Sequence, residues 1–378
     1  MRVGILTMPL KTNYGGLIQA YALQTALERM GCEVEILSRS YPKPEMRFFT
    51  RIRCDGVRFV RGLCGGKDNR LSDKEYRLVS VNTDKFIHTY MHVSPKLYTT
   101  EDLRDYTLQK SFDAYVVGSD QIWRPRYCPC IEDYFLGFAA KQSVRRIAYA
   151  ASFGVEDWEY SNEETKMCSQ LAKSFDAIGV REDSGVGLCS LHLGVKAEQV
   201  LDPTLLLNSS DYEAFSSNTK SSNGTLFFYI LDHNEKKNAL LKSVSEKAHM
   251  QSYECMPQGP LYHGKILRNL DKCVYPAPEQ WLRSFGDAEM VVTDSFHGAA
   301  FSIIFNKSFW VIGNKSRGLA RMESLLEMFD LKDRFVDLDG NNLEKDWSQP
   351  INWDSVNIKM ESWRKQSTAF LTKALFNS

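Results

Sequence analysis

The sequence predicts an α/β protein built from two Rossmann-like domains with parallel sheets, and three observations carry that prediction. At 378 residues the chain exceeds the size at which a single hydrophobic core stops growing, so two domains are expected. Short apolar runs alternate with amphipathic helical stretches along the chain, and parallel strand neighbours require the crossover helices that this alternation supplies. A polar run, NSSDYEAFSSNTKSSNG, interrupts the series and marks the boundary. On this reading residues 1–207 form the N-terminal domain and 208–352 the C-terminal one. Residues 353–378 form a last amphipathic helix that packs back onto either of them.

The first βαβ unit is the most legible. Val3 to Thr7 is a strand, PLKTNYGG a loop, and Leu17 to Met30 a helix whose apolar residues Leu17, Ala20, Tyr21, Leu23, Leu27 and Met30 recur at helical spacing. Gly31 stands where a helix stop is expected, and CEVEIL is the next strand. The alternation continues through strand AYVVG, strand RIAYAAS, a helix from about Asn162 to Lys173, strand AIGV, a short helix after Asp183, and QVLDPTLLL. The second series runs through strand TLFFYIL, a helix of about Glu235 to His249, helix PEQWLRSF, strand MVVTD, helix HGAAFSIIF, strand FWVIG and helix GLARMESLLEMF.

Composition narrows the class. A hydrophobic content of 43% and a charged content of 25% are ordinary for a globular protein. Lys plus Arg and Asp plus Glu are both 47, so whole-chain charge gives no argument for nucleic acid, and no such partner is expected. The apolar start MRVGILTM is too brief for a signal peptide, and no apolar stretch approaches the roughly 18 residues of a membrane span, so a cytoplasmic protein is expected. Nine cysteines without a repeating spacing fit reduced thiols. CPC, Cys128 to Cys130, lacks a second ligand pair, and neither H-E-x-x-H nor G-x-S-x-G occurs, so no metal site is expected.

In open parallel sheets ligands sit beyond the carboxyl ends of the strands, which ranks the loops. In EMVVTDSFHGAAFSIIF, Ser295 reads as an N-cap, His297 lies in the first turn of the helix, and Gly298 permits close approach of a ligand or a second backbone. The unpaired amides and dipole of that helix start favour an anion. In VVGSDQIW a strand ends before Gly118, Ser119 and Asp120, and a carboxylate there can orient or deprotonate a sugar hydroxyl or simply cap a turn. In GVREDSG the strand ends at Arg181, whose fork of donors suits a carboxylate or phosphate, or a surface ion pair with Glu182 or Asp183. Asn13, Gly15 and Gly16 permit close approach at the first helix, although TNYGG has neither dinucleotide nor P-loop spacing. GNKSRGLAR places Lys315, Arg317 and Arg321 near the same sheet edge as His297.

Taken together, NYGGLIQAYAL, DAYVVGSDQIW, AYAASFG, VREDSG, VLDPTLLL, VTDSFHGAAFSIIFNKSFWVI and NKSRGLARMESLL resemble the polysaccharide pyruvyl transferase family over nearly the whole chain. The resemblance implies a GT-B-like fold with the active site in the interdomain cleft. It also implies transfer of a pyruvyl group from phosphoenolpyruvate to a sugar, giving a cyclic ketal on a cell-surface glycan or its lipid-linked precursor. The family's catalytic histidine corresponds to His297 and one donor-binding arginine to Arg181. Two positions before the histidine, where the family carries arginine, stands Ser295, which leaves Arg317 or Arg321 to supply the charge.

The expected site follows. A positively charged His297 protonates the donor's methylene carbon and Asp120 orients the attacking hydroxyl. Arg181, Ser295, Gly298, Arg317 and Arg321 hold phosphoenolpyruvate, and Asn13, Gly15, Gly16 and Ser119 meet the acceptor. No cofactor beyond the donor is expected. Between Pro42 and Arg77 ten Lys or Arg oppose five Asp or Glu, and Arg47, Arg51, Arg58 and Arg61 fall opposite Phe48, Phe49, Ile52, Phe59, Val60 and Leu63 on a helical projection. That stretch reads either as an amphipathic lid over the cleft or as a peripheral contact with the inner face of a membrane. The rival readings are a glycosyltransferase using a nucleotide sugar and a non-catalytic glycan-binding protein, both on the same scaffold.

Overall fold

The computed structural model describes residues 1–41, 73–216, 219–258, 270–314, 317–338 and 345–377. The basic stretch read at 42–77 lies outside them as far as residue 72, and so does Lys315.

Among the described residues two sheets are present, and every strand pairing in them is parallel. The first contains β1 (Arg2–Leu6), β2 (Glu33–Ile36), β3 (Ala114–Val117), β4 (Arg145–Ala151), β5 (Ala177–Val180) and β6 (Glu198–Gln199) in the order β2-β1-β3-β4-β5-β6. The second contains β7 (Leu226–Tyr229), β8 (Ser252–Glu254), β9 (Met290–Thr293), β10 (Ser308–Ile312) and β11 (Phe335–Val336) in the order β11-β10-β9-β7-β8. Counted from its own first strand, each sheet therefore begins 2-1-3-4-5, the doubly wound order, with its switch point between the first and third strands. The central strands are short and apolar on both faces because helices cover both; β3, β7 and β9 are buried along their whole length.

The first helix starts earlier than the apolar pattern indicates, spanning Tyr14–Arg29. Asn13 takes the N-cap position and its side chain accepts from the Gly16 amide at 3.4 Å, so Gly15 and Gly16 belong to the first turn and not to the preceding loop. Gly31, at φ +85°, ends the unit in the left-handed conformation that glycine adopts without strain. In QVLDPTLLL only Gln199 belongs to a strand, Glu198–Gln199; Asp202 caps a 3₁₀ turn, Pro203–Leu206, with Pro at its start.

The two halves share one hydrophobic cluster. It runs from Val3 and Leu17 through Leu205 to Trp281 and Phe301. Tyr14 stacks on Trp281 at 5.4 Å and donates its hydroxyl to the Pro276 carbonyl at 2.8 Å, tying the first helix to the second half. The last helix, Trp353–Phe376, returns to the first half: Phe370 packs on Tyr149, Ser367 accepts from the Leu201 amide, and Arg364 donates to the Leu205 and Leu207 carbonyls. No helix among the described residues is long and apolar enough to cross a membrane.

Candidate functional site

The carboxyl ends of β1 and β3 face those of β7 and β9, so both switch points open onto one cleft. Asn13, Asp120 and Gln121 line it from the first half; Asp294, Ser295, His297, Asn314, Arg317 and Arg321 line it from the second. The cleft encloses a cavity of about 60 Å³. At roughly 10–15 Å³ per water on that measure, this is room for a few waters or a small anion.

His297 stands in the first turn of the helix Phe296–Ile304, only 5% exposed. On one side the ring rests against the first turn of the Tyr14–Arg29 helix. A Cβ built on Gly15 would lie 2.1 Å from His297 Nδ1, so only glycine lets the two helix starts meet. Two positive dipole ends thus converge on the cleft. On the other side Nε2 lies 3.9 Å from Asp202 Oδ2, too far for a hydrogen bond, and it has no hydrogen-bonding partner among the described residues. Burial pushes the imidazole below its ordinary value; Asp202 and Asp120 oppose that, while Arg181 and Arg321 add to it. A Gly15→Ala substitution is expected to displace the ring and lower turnover roughly 10²-fold, the usual cost of misplacing a reacting group by about 1 Å. Steady-state kinetics beside a thermal melt checks this, and an unchanged kcat would refute it.

Arg181 lies at the end of β5, inside the protein. Its guanidinium lies over the Phe296 ring at 4.3 Å, donates to Asp202 Oδ2 at 2.7 Å and reaches Asp120 Oδ1 at 3.4 Å. It therefore pairs with neither Glu182 nor Asp183. Burial disfavours its charge, but Asp202 and Asp120 more than restore it. Burial likewise pushes both carboxyls up, and Arg181, followed by His297, outweighs that, so both lie below the ordinary aspartate range. Asp202 is fully committed: Ser119 Oγ lies 3.0 Å from Oδ2, and the Thr204 amide and hydroxyl donate to Oδ1 at 3.0 and 2.8 Å. Asp120 sits at φ +73°, a conformation that aspartate tolerates better than most side chains.

The second half supplies two more cations on the cleft wall, and they differ. Arg317 is held by Asp232 in a two-pronged pair at 2.5 and 3.0 Å, and Asn314 steadies the same carboxylate. Arg321, on the helix Ala320–Met328, has no such pair. Its Nη2 donates to the Arg317 carbonyl, Nη1 stands 3.8 Å from Asp120, and Nε is buried without a partner among the described residues. Burial, then Arg181 beside it, pushes Arg321 down to about 10. Among the described cations of the cleft, its nearest carboxylate is the most distant, at 3.8 Å.

The structure brings His297, Asp120, Arg181, Arg321, Arg317, Ser295 and Asn13 together, and it corrects the roles of several predicted residues. Ser295 occupies the N-cap position, but its side chain makes no capping bond. Gly298 faces away from the cleft: a Cβ there would strike Thr293 Oγ1 at 2.1 Å, so the glycine serves helix-to-strand packing. Ser119 is wholly buried, with its amide donating to Gln19 and its hydroxyl holding Asp202, and it meets no acceptor. Gly15 seats the imidazole, and Gly16 spends its amide on Asn13. Asp294 is a structural anchor, accepting from the Leu231 amide at 2.7 Å and from Lys237 Nζ at 2.6 Å. His297 is also not the standing cation expected, because burial works against its charge.

Sequence reasoning passed over Asp202 and Asp232. The first left a signal in VLDPT, an acid immediately before a proline at a helix start, but its partner Arg181 is 21 positions away. The second stands immediately after the run TLFFYIL, so its signal was the strand end itself.

Comparison with known proteins follows the geometry. The family model for polysaccharide pyruvyl transferase matches residues 13–316. No curated protein matches the chain. Among solved structures, the UDP-GlcNAc 2-epimerase from Neisseria meningitidis bound to UDP-GlcNAc is similar at a TM-score of 0.51 and 11% identity, over 100% of both chains. The UDP-GlcNAc 2-epimerase from Methanocaldococcus jannaschii gives 0.48 and 12%, over 96% of this chain and 92% of that one. UGT89C1 from Arabidopsis thaliana, complexed with UDP, gives 0.46 and 8%, over 97% and 94%. At such identities the likeness concerns the fold alone, and that fold is the two-domain, Rossmann-like arrangement of GT-B type.

Proposed function

The chain belongs to the polysaccharide pyruvyl transferase family, a transferase family, and from that premise we propose that it moves the pyruvyl group of phosphoenolpyruvate onto two hydroxyls of a sugar in a cell-surface glycan or its lipid-linked precursor. The product is a cyclic ketal, and inorganic phosphate leaves. The observation that carries the reading is Arg321, a buried guanidinium whose nearest carboxylate, Asp120, stands 3.8 Å away, on a cavity of about 60 Å³ beside the His297 helix start. A site of that size and charge suits a three-carbon polyanion. A nucleotide sugar would need the cleft to open.

Protonation of the methylene carbon by His297 makes the adjacent carbon electrophilic. The first sugar hydroxyl, steered by Asp120, bonds to that carbon and its proton returns to the protein. The C–O bond to phosphate then breaks, the second hydroxyl closes the ring, and its proton departs with phosphate. One donor and one diol thus give one ketal and one hydrogen phosphate. Arg321 meets one acidic end of the donor. Ser295, whose hydroxyl is not used in capping, and the amides of the helix start meet the other. Arg317 joins only by exchanging Asp232 for the donor.

The test is phosphate release from phosphoenolpyruvate that depends on a sugar diol, read beside ligand-induced thermal shifts. Stabilisation by phosphoenolpyruvate together with acceptor-dependent release supports the reading; at a ligand concentration a hundred times Kd the gain is about 2.7 kcal/mol. Stabilisation by a nucleoside diphosphate and not by phosphoenolpyruvate would point to the glycosyltransferase instead. Glycan binding without any release would point to the non-catalytic binder.

A further inference from the structure

We propose, resting on that reading, that the donor is captured together with a proton from solvent, which lodges on His297 Nε2 with Asp202 as its counter-charge. The first argument is geometric. Nε2 is buried, has no hydrogen-bonding partner among the described residues, and faces Asp202 Oδ2 across 3.9 Å, close enough for strong Coulombic attraction but too far for a shared hydrogen bond. Asp202 cannot close that gap, because Arg181, Ser119 and Thr204 hold it from three sides. It is a fixed negative charge beside a ring that has no use for it while neutral.

The second argument is charge balance. Among the described residues along the cleft, Arg181, Arg321, Arg317 and Lys237 are set against Asp202, Asp120, Asp232 and Asp294, four charges of each sign. A donor carrying a carboxylate and a phosphate adds negative charge to a wall whose own charges already balance, and at low dielectric that excess is costly. A proton on His297 is the nearest compensation.

The third argument is the starting state. The charged groups facing the ring are Asp202, Asp120 and Arg181 from the first half and Arg321 from the second, while the Gly15 turn contributes only backbone. Burial leaves the free imidazole below its ordinary value, so the ring is neutral at neutral pH. Donor charge raises that value. Between the free and bound values, binding takes up a proton and affinity falls as pH rises. The acid is thereby loaded only when the carbon it must protonate is present, and the first hydroxyl's proton restores it after transfer. Asp202 is a positioning residue in this scheme, since it acts through His297.

The experiment is titration calorimetry of the full chain with phosphoenolpyruvate, without acceptor, at pH 7.5 in two buffers of different ionisation enthalpy. The donor's phosphate, with a second ionisation near 6, is then almost fully ionised. Wild type is expected to take up about one proton per donor, with affinity falling up to about tenfold per pH unit. H297Q is expected to bind more weakly with no buffer dependence. D202N is expected to lower the uptake and move the pH dependence of affinity down by about one unit, a change that loss of mere support would not produce. Bound donor without uptake in wild type, or undiminished uptake in H297Q, overturns the proposal. Undiminished uptake in D202N removes Asp202 as the counter-charge. If D202N fails to fold, H297Q still decides the proton's site. Absence of any donor binding sinks the pyruvyl reading itself, a distinguishable result.

Discussion

Replacing His297 by alanine is expected to lower acceptor-dependent phosphate release by about 10²–10⁴-fold, the usual worth of a positioned general acid. The loss should appear in kcat, because in the free protein the ring makes no hydrogen bond through Nε2 that holds the cleft together. The ring is buried between the two helix starts, so its removal also costs packing, and a thermal melt run beside the kinetics reads that loss separately. Single-turnover measurement of phosphate release separates chemistry from product release. A variant that kept full kcat would remove His297 from the chemistry, and the acid would have to be sought among the other groups on the cleft.

The second large effect is on stability. Arg181→Ala leaves Asp120 and Asp202, both buried, without the guanidinium that holds their charge, and breaking a buried pair from one side costs about 3–5 kcal/mol. The sign of the pH dependence follows from the carboxyls. In the intact protein both lie below their ordinary value, so their contribution is present above the unfolded value near 3.8 and is lost as pH falls through the folded one. In the variant the same burial, now unopposed by Arg181, pushes both upward. The deficit should therefore be widest near neutral pH and narrow as the solution is acidified towards pH 5, where the orphaned carboxyls take up protons. Denaturant unfolding of wild type and variant at several pH values checks this. A deficit that does not vary with pH would mean that lost packing against Phe296, and not stranded charge, is responsible.

Much of this was legible without coordinates. The strand-and-helix alternation places β3, β5 and β9 almost residue for residue, because runs such as AYVV, AIGV and MVVT are buried on both faces and must be apolar throughout. The rule that ligands lie beyond strand ends then led to His297, Asp120 and Arg321, which line the cleft, and to Arg181, buried behind Asp120. Ser119, Gly298 and Gly16 were misread for one reason. A small or polar residue in a loop or helix start beyond a strand looks alike whether it faces a ligand or a neighbouring side chain, and only the position of Gln19, Thr293 or Asn13 distinguishes the two.

What the sequence by itself determined is the periodic and local part: two parallel sheets, the helix start at Ser295, and the loops in which chemistry can sit. Those features arise from residues a few positions apart, where spacing is a direct physical constraint. Only the tertiary structure decided which charges are spent and which are free. Arg181 meets Asp202 across 21 residues, Arg317 meets Asp232 across 85, and Gly15 meets His297 across the two halves. Such pairings depend on how strands are ordered and how the sheets face each other. Electrostatic energy depends on separation and burial, and neither is written in the order of residues along the chain.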